Sequence, residues 1–143
     1  MPEAGTAGVL GLSYKPDTGV IEESQGVALA KYLLQSGARV VVYDPEAMEN
    51  AREQLQGRVT FASGSAECAR QSDVLAITTP WPEFKKLTPQ DFKRPVGKPV
   101  VLDCWRVLSR EKFADEVDYL TLGYGAHPAA RASEQRVMAA EGD

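Results

Sequence analysis

Asp73–Thr78 has the sequence DVLAIT, and this short apolar stretch is the clearest indication of the fold class. A run of this length, apolar and closed by threonine and proline residues, predicts a strand. Comparable runs occur at Ala7–Leu12, Arg39–Tyr43 and Pro99–Asp103. Because these runs are apolar throughout rather than alternating, we expect strands that are buried on both faces of a parallel sheet.

Stretches with helical spacing of apolar residues lie between these strands. Ser24–Gln35 predicts a helix capped by Ser24 and stopped at Ser36-Gly37. A second helix is expected from Asp44-Pro45 to about Leu55, and a third over Ser65–Gln71 with Ser65 as its cap. Shorter elements are expected at Val59–Phe61, Trp81–Leu87, Thr88–Phe92, Ser109–Ala114 and Tyr119–Leu122.

This alternation predicts an α/β fold: a three-layer α/β/α arrangement, Rossmann-like, with a mostly parallel sheet of five to six strands. Residues 1–125 are expected to form one domain. Residues 126–143 are rich in alanine and charge and are expected to form a tail that is partly helical or disordered.

Composition excludes several classes of protein. The chain has 143 residues, 43% of them hydrophobic, and a net charge of -4, which argues against a dedicated nucleic-acid binder. Two cysteines and one histidine make neither a disulfide scaffold nor a zinc site, and reduced thiols fit a cytoplasmic protein. No signal peptide is visible, and no apolar stretch approaches the ~20 residues of a membrane span.

The turn after the first strand carries the first candidate for a ligand site. Lys15 would lie at the edge where ligands bind in such sheets, and it could offer a positive charge to a phosphate. The alternative is a solvated lysine beside a simple turn at Pro16-Asp17. Gly8 and Gly11 do not make the G-x-G-x-x-G fingerprint of dinucleotide binding, and no P-loop is present.

Three further strand ends carry polar or aromatic side chains. Asp44 could bind a ribose hydroxyl or cap a helix, and we favour capping. Thr79 and Trp81 follow DVLAIT and could face a ligand. Alternatively, Trp81 could wedge a short helix against the sheet with Phe84, for which we favour packing.

Cys104 and Arg106 follow the strand that ends at Asp103. Arg106 could pair with phosphate or carboxylate, or be a surface arginine that pairs with Asp103. A catalytic role for Cys104 is disfavoured because no histidine lies near it in the sequence.

The order of these motifs resembles the C-terminal domain of the UDP-glucose/GDP-mannose dehydrogenase family. The segments GLSYKPDT, VVVYDP, SDVLAITTPWPEF and VVLDCWRVL carry the resemblance, which runs from about Val9 to Leu122. Each motif alone is weak, but together they agree with the family in both spacing and order.

The resemblance implies a nucleotide-sugar (UDP-sugar) binding domain of an NAD-dependent 6-dehydrogenase that acts in polysaccharide biosynthesis. Tyr14, Lys15 and Arg106 fall on the family's substrate-binding positions, and Thr79 and Trp81 are further candidates. NAD and the catalytic cysteine belong to other domains of the family. We therefore expect no catalytic residue, no metal and no cofactor in this chain, and no activity by itself. The implied partners are the other dehydrogenase domains, a second subunit or a homodimer.

Departures from the family pattern leave an alternative open. Glu22 replaces an arginine that helps to hold NAD, Cys104 and Trp105 replace a glycine and an arginine, and Pro80 replaces a glutamate. A divergent, stand-alone, non-catalytic binding or assembly module is the alternative. A flavodoxin-like regulator shares only the fold class. The main hypothesis requires that Lys15 and Arg106, at neighbouring strand tips, converge on one phosphate-sized space.

Overall fold

A six-stranded, all-parallel sheet organises the part of the chain that the structure, a computed structural model, describes, namely residues 5–13, 24–55 and 58–121. The strands are β1 (Thr6–Leu10), β2 (Arg39–Tyr43), β3 (Thr60–Phe61), β4 (Val74–Ile77), β5 (Val100–Asp103) and β6 (Asp118–Thr121). The helices are α1 (Gln25–Gln35), α2 (Met48–Leu55), α3 (Ser65–Gln71) and α4 (Arg110–Phe113), with 3₁₀ helices at Pro82–Lys86 and Pro89–Phe92. The predicted parallel, Rossmann-like sheet is confirmed.

The strand order is β3-β2-β1-β4-β5-β6. The chain therefore starts in the middle, builds outward through β2 and β3, and then returns to β4 on the other side of β1. This reversal between β1 and β4 opens a crevice at the carboxyl ends of the strands, where open α/β sheets bind ligands.

The strand residues alternate between two apolar cores because successive side chains point to opposite faces of the sheet. On one face, Val9, Val40 and Val42 pack with apolar residues of α1 and α2. On the other face, Leu10, Leu75, Ile77 and Val101 pack with α3, the two 3₁₀ helices and α4. Burial on both faces accounts for the continuous apolar runs in the sequence.

The two ends of α1 agree with the caps predicted from the sequence, whereas the start of α3 does not. The Ser24 hydroxyl accepts a hydrogen bond from the Val27 N–H (3.0 Å), and Gly37 at φ 90° ends α1. The cap predicted at Ser65 is wrong. Ser65 is the first helical residue, Gly64 is the N-cap, and the Glu67 carboxylate in the first turn accepts a hydrogen bond from the Ser63 N–H (2.8 Å).

The start predicted for the second helix is also wrong by about one turn. Residues 45–47 form a turn, and α2 begins at Met48. The predicted tail, 126–143, lies outside the described residues. No helix within the described ranges has both the length and the apolar character that a membrane crossing needs.

Candidate functional site

The ends of β1, β4 and β5 meet at one edge of the sheet. Backbone hydrogen bonds continue beyond the strands: Gly11 N–H donates to Tyr43 O (2.9 Å), Thr78 N–H to Leu10 O (2.9 Å) and Cys104 N–H to Ile77 O (3.1 Å). These hydrogen bonds therefore fix the first residue of each loop at the same edge of the sheet.

Two glycines allow very close packing at the crevice between β1 and β4. Gly11 has φ 114°, and a Cβ on it would lie 2.5 Å from the Thr79 hydroxyl oxygen. A Cβ on Gly26, in the first turn of α1, would lie 1.8 Å from the carbonyl oxygen of Gly11. The N-terminal turn of α1 is thereby pressed against the end of β1, which only glycine permits at these positions.

Asp44 ties the loop after β1 to the end of β2. Its side chain is buried, and its carboxylate accepts hydrogen bonds from three parts of the chain. The donors are the N–H groups of Leu12 (2.7 Å), Ser13 (2.9 Å), Glu46 (2.8 Å) and Ala47 (2.8 Å), the Ser13 hydroxyl (2.9 Å) and the Trp81 indole N–H (3.1 Å). The favoured capping role is correct, although Asp44 caps the turn 45–47 rather than the first turn of α2.

Thr79 and Trp81 join the same assembly. The Thr79 hydroxyl is buried and donates to Ser13 O (3.1 Å), while the Trp81 ring lies in the core with its N–H on Asp44. Phe84 is fully buried beside them, as the packing interpretation predicts. These contacts give Thr79 and Trp81 a structural role in holding the loop that leads to Tyr14 and Lys15. Their contact with a ligand stays a prediction.

Asp103 organises the loop after β5. Its carboxylate is fully buried and accepts hydrogen bonds from its own loop and from β6. They are the N–H groups of Trp105 (3.3 Å), Val107 (2.9 Å) and Leu108 (2.8 Å), and the Tyr119 hydroxyl (2.8 Å). Burial and the bond to Asp103 raise the pKa of Tyr119, so this hydroxyl remains a donor through neutral pH.

This loop holds Arg106 in an unusual conformation. Arg106 has φ 54°, the left-handed region that costs a non-glycine residue energy, and its side chain is exposed. It lines a cavity of about 160 Å³ together with Leu108, Arg110, Tyr119 and Thr121. The Arg110 guanidinium lies 4.9 Å from the Tyr119 ring centre. Two guanidinium groups on one small cavity make a site suited to an oxyanion.

Comparison with known proteins shows the family of the chain. A family profile described as the UDP-glucose/GDP-mannose dehydrogenase family, UDP binding domain, matches residues 8–110. The chain belongs to this family. The matched range includes the loops after β1, β4 and β5.

Individual relatives agree with the family profile. A UDP-glucose 6-dehydrogenase of Rhizobium meliloti is 37% identical over 106 residues, which are 74% of this chain and 24% of that protein. The corresponding protein of Haloferax volcanii is 36% identical over 107 residues, 75% of this chain and 24% of its own length.

Solved structures lead to the same family. A UDP-glucose dehydrogenase of Pyrobaculum islandicum superposes with a TM-score of 0.68 at 37% identity, over 84% of this chain and 25% of that one. This UDP binding domain thus spans about a quarter of the length of the relatives it matches.

The two cations of the main hypothesis come from strands that are not neighbours. Lys15 follows β1 and Arg106 follows β5, and β4 lies between these strands, so the prediction of neighbouring tips is wrong. The cavity that Arg106 lines lies beside β6, on the side away from β1. Tyr14, Lys15 and Glu22 lie outside the described residues, and their convergence with Arg106 stays a prediction.

The described residues do not fit a dinucleotide at the place where Rossmann folds usually bind one. That place needs an acidic side chain at the end of β2 that is open to a ribose. Asp44 occupies the position, but it is buried and already accepts hydrogen bonds from six donors. Asp44 is therefore not available as a ribose ligand, and the described residues offer NAD no site at this position.

Neither cysteine is arranged as a nucleophile. Burial raises the pKa of Cys68 to about 12, and burial together with the charge of Asp103 raises the pKa of Cys104. A raised pKa leaves the unreactive thiol at neutral pH. Both cysteines are free thiols. Within the described ranges, no group of three or more His, Cys, Asp or Glu residues is placed to hold a metal.

Trp105 is the residue at this edge whose position the sequence did not reveal. Its side chain is 55% exposed, and its indole N–H donates to Thr78 O (3.0 Å), at the end of β4. The available signal was the departure from the family pattern at this position. Only the fold shows that the ring extends across the tip of the adjacent strand.

Proposed function

We propose that this chain binds a UDP-sugar at the carboxyl edge of its sheet, as the substrate-binding part of an NAD-dependent UDP-glucose/GDP-mannose-type 6-dehydrogenase. The supporting observation is the small cavity lined by Arg106 and Arg110 at the end of the range that the family profile matches. A diphosphate is a suitable ligand for such a site, because each guanidinium group can donate two parallel hydrogen bonds to the oxygens of one phosphate. Tyr14 and Lys15 would contact the same substrate from the loop after β1.

The chemical step would belong to other parts of the enzyme. The chain spans about a quarter of its relatives, and its cysteines are poor nucleophiles. We therefore propose that NAD and the catalytic cysteine are supplied by other dehydrogenase domains or by a second subunit. In this proposal the complete enzyme works in the cytoplasm, where NAD and nucleotide sugars are present.

Calorimetric titration of the folded chain with UDP and UDP-glucose tests the binding. Arg106→Ala and Lys15→Ala should each weaken binding by about tenfold, the effect of losing one charged contact to phosphate. Arg58→Ala, an exposed arginine before β3, is the matched control and should leave the affinity unchanged. If the folded wild-type chain takes up neither ligand at millimolar concentration, the proposed function is wrong.

The double variant tests whether the two cations hold one phosphate. If Lys15 and Arg106 contact the same group, the effect of Lys15→Ala should differ between the wild-type and the Arg106→Ala backgrounds. If they contact separate groups, the two losses should add. Additive losses would retain UDP-sugar binding but reject the single phosphate-sized space.

A non-catalytic binding or assembly module is the second candidate, because Cys104 and Trp105 replace a glycine and an arginine of the family pattern in the loop that carries Arg106. Addition of a cognate dehydrogenase N-terminal fragment separates the two candidates. NADH formed from UDP-glucose and NAD by the mixture, and by neither part alone, would reject the non-catalytic module.

A further inference from the structure

Trp105 presents an aromatic surface at the candidate site. Large exposed aromatic side chains are uncommon in the described part of this domain, where Tyr32 and Trp105 are the two more than half exposed. Tyr32 lies in the last turns of α1, whereas Trp105 lies at the edge where the strands end. Of the two, only Trp105 is therefore placed to meet a ligand of the sheet edge.

Two hydrogen bonds restrict the position of Trp105. The indole N–H donates to Thr78 O, and the backbone N–H of Trp105 donates to the Asp103 carboxylate (3.3 Å). Bonds at both ends of the residue reduce the entropy that a ligand would have to remove from this side chain. The 55% exposure leaves ring surface open to solvent despite these bonds.

The position of the ring relies on the strand order. Trp105 leaves β5 and reaches the end of β4, so it extends toward β1, while the cavity with Arg106 and Arg110 lies toward β6. An aromatic surface and a cationic cavity thus lie on adjacent parts of one edge. This combination is used to bind nucleotides, because a base stacks on an aromatic ring while a phosphate pairs with cations.

We propose that Trp105 is the stacking platform for the base of the bound nucleotide. The inference rests on the proposed function and adds a residue that determines the preference for a nucleotide over other phosphates. The base would lie on the exposed indole surface, and the diphosphate would lie toward Arg106. A stacked base should make UDP bind more tightly than inorganic pyrophosphate by about tenfold.

Tryptophan fluorescence tests the stacking directly. The chain has two tryptophans, and Trp81 is buried, so a ligand that stacks on Trp105 should change only the Trp105 emission. UDP should quench the wild-type chain and leave Trp105→Phe, in which Trp81 is the remaining tryptophan, almost unchanged. Pyrophosphate should quench neither protein.

Affinity measurements by calorimetry complete the test. Trp105→Ala should weaken UDP binding by about tenfold, Trp105→Phe by less because it keeps a ring, and pyrophosphate binding should change in neither variant. Tyr32→Ala removes the other exposed ring and is the matched control. Thermal unfolding of each variant shows that it is folded.

The possible failures differ from one another. UDP binding with unchanged fluorescence and full affinity in Trp105→Ala would overturn the stacking role and retain the proposed function. Quenching by glucose 1-phosphate but not by uridine would assign the ring to the sugar and overturn its assignment to the base. The absence of UDP binding by the folded wild-type chain would overturn both proposals.

Discussion

Asp44 directly follows strand β2, and Asp103 is the last residue of strand β5; both are almost completely buried, and both accept several hydrogen bonds. The Asp44 carboxylate accepts hydrogen bonds from its own turn, from the loop after β1 and from Trp81, and therefore connects three segments. Asp103 collects donors from the loop that follows it and from the Tyr119 hydroxyl of β6. Asp44 stabilises the packing of the loops at the sheet edge, whereas the loop shaped by Asp103 has Trp105 and Arg106 exposed.

The difference shows that an aspartate at the end of a strand can have either of two roles. It can hold distant segments together, or it can shape a loop whose side chains are exposed. The buried Asp44 carboxylate needs hydrogen-bond donors, and the Ser13 and Trp81 side chains turn inward to supply two of them. The Asp103 carboxylate accepts mainly backbone N–H groups of its own loop, and the Trp105 and Arg106 side chains of that loop are exposed. We therefore expect damage at Asp44 to affect mainly stability and damage at Asp103 to affect both stability and binding.

The largest effect is expected for Asp44→Ala. Removal of the carboxylate leaves buried N–H groups of three segments without an acceptor, so we expect the free energy of unfolding to fall by about 4 kcal/mol. Urea unfolding measures this loss. Asp115→Ala, at an exposed site, should change stability by less than about 0.5 kcal/mol. A loss at Asp44 as small as that of the control would remove the distinction between the two aspartates.

Asp103→Ala should cost about 3 kcal/mol, because fewer segments depend on this carboxylate. It should also weaken UDP binding by more than Arg106→Ala alone, since the loop that carries both Trp105 and Arg106 loses its anchor. Urea unfolding and calorimetry on the same preparation give the two numbers. Full affinity in a folded Asp103→Ala chain would show that the loop is shaped without Asp103.

Gly26→Ala tests how tightly the Asp44 side of the edge is packed. The added methyl would lie 1.8 Å from Gly11 O, so the helix must shift, at a cost of about 2 kcal/mol. Gly64→Ala is the matched control, because a Cβ there meets nothing within 4 Å. Equal thermal stability of the two variants would contradict the close approach of α1 to β1.

Tyr119→Phe tests the hydrogen bond from the Tyr119 hydroxyl to Asp103. Its loss should lower the free energy of unfolding by about 1 kcal/mol at neutral pH. Because burial and Asp103 raise the pKa of Tyr119, the stability that this group contributes is present below pH about 10 and is lost as the pH rises further. The wild-type chain should therefore lose more stability above pH 10 than the variant does. Parallel alkaline curves for the two proteins would reject this coupling.

The smallest effect on stability is expected for Arg106→Gly. Glycine accepts the φ of 54° without strain, which should offset its greater chain entropy and change stability by at most about 1 kcal/mol. UDP affinity should nevertheless fall by about tenfold, because the charged contact is lost. A large loss of stability would mean that Arg106 supports the loop rather than serving the site.

Much of the fold follows from the sequence, because the main signals are local. The strands β2 and β4 and the helix α1 lie where apolar runs and caps place them, since backbone preference and capping depend on near neighbours in the chain. The errors occur at boundaries. The sequence pattern predicts a helix cap at Ser65 and a helix start at Pro45, but Glu67 and the turn capped by Asp44 determine where those helices begin.

The candidate site is less predictable because its contacts join residues that are far apart in the chain. The motif order predicts Arg106 as a candidate, but nothing near it in sequence predicts that Tyr119 and Thr121 of β6 share its cavity. The bond from the Trp105 indole to Thr78 O links positions 27 residues apart. Such contacts depend on the strand order, which local patterns do not specify.

The parallel α/β fold and the membership in the UDP-glucose/GDP-mannose dehydrogenase family follow from the amino-acid sequence, because apolar periodicity and ordered motifs are properties of the chain alone. The folded arrangement is needed to show which carboxylates have all their hydrogen bonds within the packed structure and which side chains face outward. The physical reason is that buried polar groups must find hydrogen-bond partners, and the folded arrangement of distant segments decides which partners are within reach.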